Sequence, residues 1–70
     1  MHINMTKNEI GQIIKERRVY LNITQKDLAE IVGISLRSLV DIEKGNGNPT
    51  IDQLNKILNA LGLAIKISTL

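Results

Sequence analysis

The sequence predicts an all-α fold of four short helices, closed by a short C-terminal strand. Three observations predict it. Thr6, Thr24, Ser35 and Thr50 each stand immediately before a stretch with helical apolar spacing. A run rich in turn formers, Gly45-Asn46-Gly47-Asn48-Pro49, interrupts that spacing once. After Gly62 the apolar period changes to two, the period of a strand.

The first helix spans about 7–21. Thr6 and Glu9 form a capping box, in which each side chain satisfies a backbone N–H of the first turn. Ile10, Ile13, Ile14 and Leu21 fall on one stripe, which Arg17 and Arg18 continue, and Asn22 is a left-handed stop. The second helix spans about 25–32, with Thr24 and Asp27 at its start and Leu28, Ile31 and Val32 as its apolar face. Gly33 and Ile34 alone separate it from the third helix, about 35–44. Pro49 forbids a helix across Asn48. The fourth helix, about 51–61, opens on Thr50 with Gln53 and turns Ile51, Leu54, Ile57, Leu58 and Leu61 inward. In a strand over about 63–68, Leu63, Ile65 and Ile67 alternate with Ala64, Lys66 and Ser68. A lone strand leaves its backbone groups without partners. The segment is therefore either a loose terminus or a strand that pairs with its copy in a second subunit.

Composition bounds the function. Seventy residues make one domain, 1–70, and such a chain buries only ~60% of the surface its unfolded form exposes. There are no cysteines to staple it, and Tyr20 is the lone aromatic, so the core is aliphatic. Dimerisation is the remaining source of stability. The single histidine, His2, and seven acids show no metal-ligand spacing, nucleophile–base pair or paired carboxylates. Gly45 and Gly47 follow no strand and precede no Gly-Lys-Ser/Thr, so they make no phosphate loop. The sequence predicts no enzyme, no cofactor and no metal. It also predicts no membrane span and no signal peptide, hence a cytoplasmic protein. A net charge of +2 and a pI of about 9.2 permit nucleic-acid binding without establishing it.

The informative segment is Thr24–Gly45, TQKDLAEIVGISLRSLVDIEKG. So short a link, with Gly33 supplying an unusual backbone angle, makes the two helices cross steeply. The side chain facing the turn must be small, and Ala29 stands four residues before Gly33. Leu28, Val32, Ile34, Leu39 and Ile42 then fill the corner between the helices.

This segment resembles the helix-turn-helix of the Cro/C1 (XRE) family of bacterial and phage repressors. The residues that carry the resemblance are T-Q-x-x-L-A-x-x-x-G-I-S from Thr24, I-E-x-G from Ile42, and Asn48-Pro49-Thr50. The resemblance spans roughly Ile10 to Leu61 and implies a λ-repressor-like domain that binds double-stranded operator DNA. In such a domain the third helix lies in the major groove. By position, Ser35, Leu36, Arg37 and Asp41 face base edges. Arg37 is the strongest of these, since a guanidinium bonds both acceptors of a guanine at once. Asp41 departs from the pattern, because an acid repels phosphates; it orients Arg37 or accepts from a cytosine amino group. Leu36 and Val40 either pack on thymine methyl groups or extend the core. Gln25, Lys44 and Asn46 match positions that contact the DNA backbone. Arg18 and Glu43 match a structural ion pair joining the first helix to the end of the third.

The Leu61–Ile67 segment, LGLAIKI, further resembles the antitoxin and repressor subunits of HipBA-type toxin–antitoxin systems. That resemblance implies a two-fold homodimer, with Leu63, Ile65 and Ile67 on the pairing strand, and a kinase-like toxin as partner. The competing expectation from another class is a protein-interaction adaptor of the same fold, which Asp41, Leu36, Val40 and the modest charge favour.

Overall fold

Each hydroxyl residue singled out above takes an extended backbone conformation and starts a helix. In the computed structural model, which describes residues 5–66, the elements are α1 (Lys7–Tyr20), α2 (Gln25–Val32), α3 (Leu36–Glu43) and α4 (Ile51–Ala60). Thr6 Oγ1 accepts from Glu9 N at 3.2 Å and Glu9 Oε1 accepts from Thr6 N at 3.2 Å. The Thr50–Gln53 box repeats this at 3.1 and 3.0 Å. Thr24 and Ser35 cap α2 and α3 by accepting from Asp27 N at 3.0 Å and Ser38 N at 3.1 Å. Each such cap contributes about 1 kcal/mol. The expected helix ends at Leu21, Ser35, Lys44 and Leu61 are caps rather than helical residues. Ser35, for example, has ψ 151, outside the helical region.

Between the helices the chain turns on positive φ. Asn22 takes φ 57 after α1, and Gly33 takes φ 82 after α2. A Cβ at Gly33 would meet nothing within 4 Å, so this glycine is required by its backbone angle and not by crowding. The Ala29 carbonyl accepts from both Gly33 N and Ile34 N, at 2.9 and 3.0 Å, which closes the tight turn into α3.

The core is aliphatic. Ile14, Leu28, Ala29, Leu39, Ile42, Leu54, Ile57, Leu58 and Leu61 form one buried cluster, flanked by Ile10, Ile23, Val32, Ile34 and Leu63. α3 packs on both α1 and α2, and α2 packs on α4. Four expected inward residues, Ile13, Leu21, Ile31 and Ile51, lie outside this cluster, Leu21 as the exposed cap of α1. Ile31 is 64% exposed because Gln25, Leu28, Ala29 and Val32 take the inward arc of α2 and leave Ile31 about 110° from its centre. Ile13 and Ile51 instead border an open apolar hollow of about 480 Å³ between α1, α4 and the chain after Gly62. Met5, Ile10, Leu58, Leu63 and Ile65 line the same hollow.

Residues 63–66 carry no strand. Among the described residues they meet no second strand to pair with. Ile67 and Ser68 lie outside the described residues. Among the described residues no helix is long and apolar enough to cross a membrane.

Gly11 was not singled out by the sequence, yet it decides how closely α1 approaches α3. It is buried, and a Cβ there would sit 2.4 Å from the Ile42 carbonyl oxygen and 2.7 Å from that of Glu43. Both obstacles are backbone atoms at the end of α3, so neither can swing aside. Alanine improves helix propensity by about 1 kcal/mol, but overpacking costs about 1–3 kcal/mol. Here, against rigid backbone, we expect the larger figure to win. Gly11→Ala should lower the midpoint of thermal unfolding, followed by circular dichroism, by several degrees. An unchanged or raised midpoint would show that α1 and α3 can separate freely at this point.

Candidate nucleic-acid interface

The face of α3 turned from the core is set by what is buried behind it. Leu39, Ile42 and Glu43 point inward. Helical geometry then places Arg37 and Asp41 on the opposite side, flanked by Leu36 and Val40 on one edge and Ser38 on the other. The Arg37 side chain is 90% exposed, Leu36 is 46% exposed, and Ser35 is exposed at the helix start. Val40 is half-buried, so it belongs partly to the corner between the helices. Arg37 Nε and Asp41 Oδ2 stand 3.9 Å apart. At that length and exposure the pair constrains Arg37 weakly, and the guanidinium is able to reach outward.

Beside this face lies the Gly45–Pro49 loop. The Asp41 carbonyl accepts from Asn46 N at 2.8 Å and from Lys44 N at 3.1 Å, which folds the loop back onto α3. Lys44 and Asn46 are exposed on that turn. From across the molecule, Lys7 Nζ donates to the Gly47 carbonyl at 2.8 Å and to Asn48 Oδ1. Ser38, Asp41, Gly47, Asn48 and Gln53, with Ile42 and Pro49, surround a small hollow of mixed polarity next to α3. Neither Lys7 nor Ser38 was singled out by the sequence. Ser38 follows Ser35 at one helical turn and accepts from its hydroxyl at 2.8 Å, a spacing that was legible. Lys7 meets the loop forty residues on, and no local pattern signals that.

The interface is held to the rest of the fold by a buried ion pair. Arg18 is 9% and Glu43 7% exposed. Arg18 Nε donates to Glu43 Oε2 at 2.7 Å and Nη2 donates to Oε1 at 3.1 Å, a two-bond contact between guanidinium and carboxylate. The remaining arm, Nη1, donates to the Ile23 carbonyl at 2.9 Å, just before α2 begins. Gln25 Nε2 adds a third bond to the carboxylate, reaching Oε1 at 3.1 Å. The structure thus places Gln25 against Glu43, a contact that the sequence did not suggest. Among the described residues no buried side-chain nitrogen or oxygen lacks a partner. The described residues also contain no group of three acids or histidines able to hold a metal.

This arrangement, a steep glycine turn between two eight-residue helices with the second presented outward, has matches among known proteins. Residues 14–67 match the helix-turn-helix family HTH_3. The chain belongs to that helix-turn-helix family. It is 45% identical over 57 residues to the cryptic phage CTXphi transcriptional repressor RstR of Vibrio cholerae, covering 81% of this chain and 51% of the repressor. Among solved structures, the biofilm regulator SinR in complex with DNA is 34% identical, with a TM-score of 0.72, covering 79% of this chain and 89% of SinR. A HipA–HipB–O2–O3 complex contains a chain that aligns over 99% of this one and 97% of its own length. Its TM-score is 0.80 and its identity 23%, a likeness of fold. The helix-turn-helix here is thus α2, the Gly33–Ser35 turn and α3, and α1 and α4 are its support.

That support depends on both halves of the ion pair. Removing one partner leaves the other charged and buried, at a cost of about 3–5 kcal/mol. A small domain has total stability on the order of 5–15 kcal/mol. Glu43→Ala should therefore lower the midpoint of thermal unfolding, followed by helical ellipticity, by more than about ten degrees. A variant as helical and as stable as the parent would show that the pair contributes nothing to holding α3.

Proposed function

We propose that this chain is a transcriptional repressor that binds double-stranded operator DNA as a two-fold dimer and reads it through α3. The observation that carries the reading is the outward face of α3, with a largely unrestrained Arg37, on a helix anchored from behind by Arg18 and Glu43. Arg37 reads a guanine through its two forked donors. Ser35, Leu36 and Asp41 meet neighbouring base edges, Leu36 through contact with a thymine methyl group. Gln25, Lys44 and Asn46 contact the DNA backbone on either side and set the register. Relatives named as a repressor and a structure solved with DNA support the same reading.

Dimerisation is supported by the apolar hollow, which runs to Leu63 and Ile65 at the end of the described chain. A symmetric partner would cover it and supply a strand for residues 63–66 to pair with. Recognition helices would then lie ~34 Å apart on one face of the duplex. A second reading, in which the chain is also the antitoxin of a kinase-like toxin, is favoured by the end-to-end alignment with the chain in the HipA–HipB complex.

The deciding experiment is binding to the DNA upstream of the chain's own gene, titrated beside a scrambled duplex at near-physiological salt. The expected preference is ~10³ or more, centred on a palindrome. Equal, weak binding to both duplexes would move the function to protein interaction through the same fold. Arg37→Ala should weaken operator binding by about 1–3 kcal/mol and relax the preference at one base position. If neither affinity nor preference changes, α3 does not lie in the groove as described here. Deleting Leu63–Leu70 should shift sedimentation toward monomer while circular dichroism keeps the four-helix signal. A truncated chain that stays dimeric at low concentration would refute pairing through the tail.

A further inference from the structure

Gln25 stands where a DNA phosphate is expected, yet its side-chain nitrogen already bonds to a buried carboxylate. We propose that Glu43 is a positioning residue for DNA: it holds the Gln25 carboxamide by one N–H so that the other is presented to a backbone phosphate. The inference rests on the DNA-binding reading above and assigns Glu43 a task beyond holding α1 to α3.

The geometry supports it in three steps. The carboxamide nitrogen carries two N–H donors, and the 3.1 Å bond to Glu43 Oε1 uses one. The amide is planar, and its stem is anchored at the first residue of α2, so directing one N–H also directs the other. Gln25 is half-buried, which leaves part of the group open to an outside acceptor.

Glu43 suits this task because Arg18 neutralises it. A bare carboxylate behind the contact would repel a phosphate. Here two guanidinium donors at 2.7 and 3.1 Å hold the carboxylate and balance its charge. Arg18 also grips the Ile23 carbonyl at 2.9 Å, so the same pair fixes the start of α2. One carboxylate thereby sets Gln25 on α2 against the outward residues of α3. The spacing between a phosphate contact and the base-reading side chains becomes a property of the rigid frame.

The test combines affinity and nuclear magnetic resonance on the full chain with the upstream duplex. Gln25→Ala should weaken binding roughly tenfold or more, and equally for the upstream and scrambled duplexes. The slope of affinity against salt should stay the same, since glutamine carries no charge. Glu43→Met, which removes the acceptor and is measured at a temperature where the variant is folded, should also weaken binding equally for both duplexes, with the slope against salt altered by the Arg18 charge it leaves uncompensated. In the Gln25→Ala background it should then cause little further loss, because both changes remove one contact. Losses that simply multiply would overturn the proposal, as would Gln25→Ala binding like the parent.

The parent protein supplies a readout that survives failure of Glu43→Met to fold. Of the two Gln25 side-chain amide protons, the one bonded to Glu43 should keep its shift when DNA is added, and its sister should move. If the bonded proton instead loses its shift, Gln25 leaves Glu43 to reach DNA and the positioning role is refuted. Tight, selective binding by the parent combined with either negative result would sink this inference alone. Absence of selective binding by the parent would sink the DNA-reading function with it.

Discussion

The Arg18–Glu43 pair is the constraint around which the other parts are arranged. It lies where α1, the start of α2 and the end of α3 meet, and it bonds to all three. Burying two charges carries a desolvation penalty that their attraction offsets only with good geometry and full hydrogen bonding. Both conditions hold here. The carboxylate accepts three bonds, and the guanidinium donates to two different oxygens of Glu43 and to a carbonyl. An aliphatic core is non-directional and tolerates sliding. The ion pair supplies the direction that the core lacks, so α3 leaves the core at a fixed rotation.

Gly11 and Lys7 extend the same logic to the two ends of the contact. The absence of a side chain at Gly11 lets α1 approach the backbone of Ile42 and Glu43, close enough for Arg18 to reach its partner. Lys7, at the first turn of α1, bonds to the loop that follows α3. α1 therefore braces both the final turn of α3 and the loop after it. Rigidity of this kind matters for a surface that must match a duplex. Side chains fixed before contact lose less freedom on binding, and the surplus goes to affinity and selectivity.

The sequence revealed the local features and hid the distant ones. Helix starts were legible because a cap is decided within three residues, as Thr6 with Glu9 and Thr50 with Gln53 demonstrate. The Gly33 turn was legible because a left-handed angle selects glycine. Ile31 was misplaced because an eight-residue helix gives too few repeats to settle which apolar residues face inward. The role of Gly11 stayed hidden, since a close approach between helices leaves no trace in the spacing of either one. The Gln25–Glu43 bond was hidden for the same reason: each residue had a sufficient explanation on its own helix. The tail differs again. Its period of two is plain, but a strand is defined by its partner, and no part of residues 5–66 supplies one.

Size and charge together bear on how such a domain can be selective. α3 has eight residues, a rod of only ~12 Å, which spans about four base pairs at ~3.4 Å each. A site that short recurs roughly once in a few hundred base pairs, so one copy of α3 cannot pick out a single locus among the competing sites of a genome. Nor can bulk attraction compensate. The whole chain carries a net charge of only +2, and electrostatic attraction is in any case indifferent to sequence. Doubling the reading surface at a fixed separation, as in the proposed dimer, would multiply the discrimination of the two halves. The open apolar hollow between α1, α4 and residues 63–65 argues for the same arrangement from stability, because a small aliphatic core gains by covering it. In the proposed dimer a second copy of the chain would meet the demands of folding and of recognition together, and the rigid Arg18–Glu43 frame would let the separation between the two α3 helices carry information.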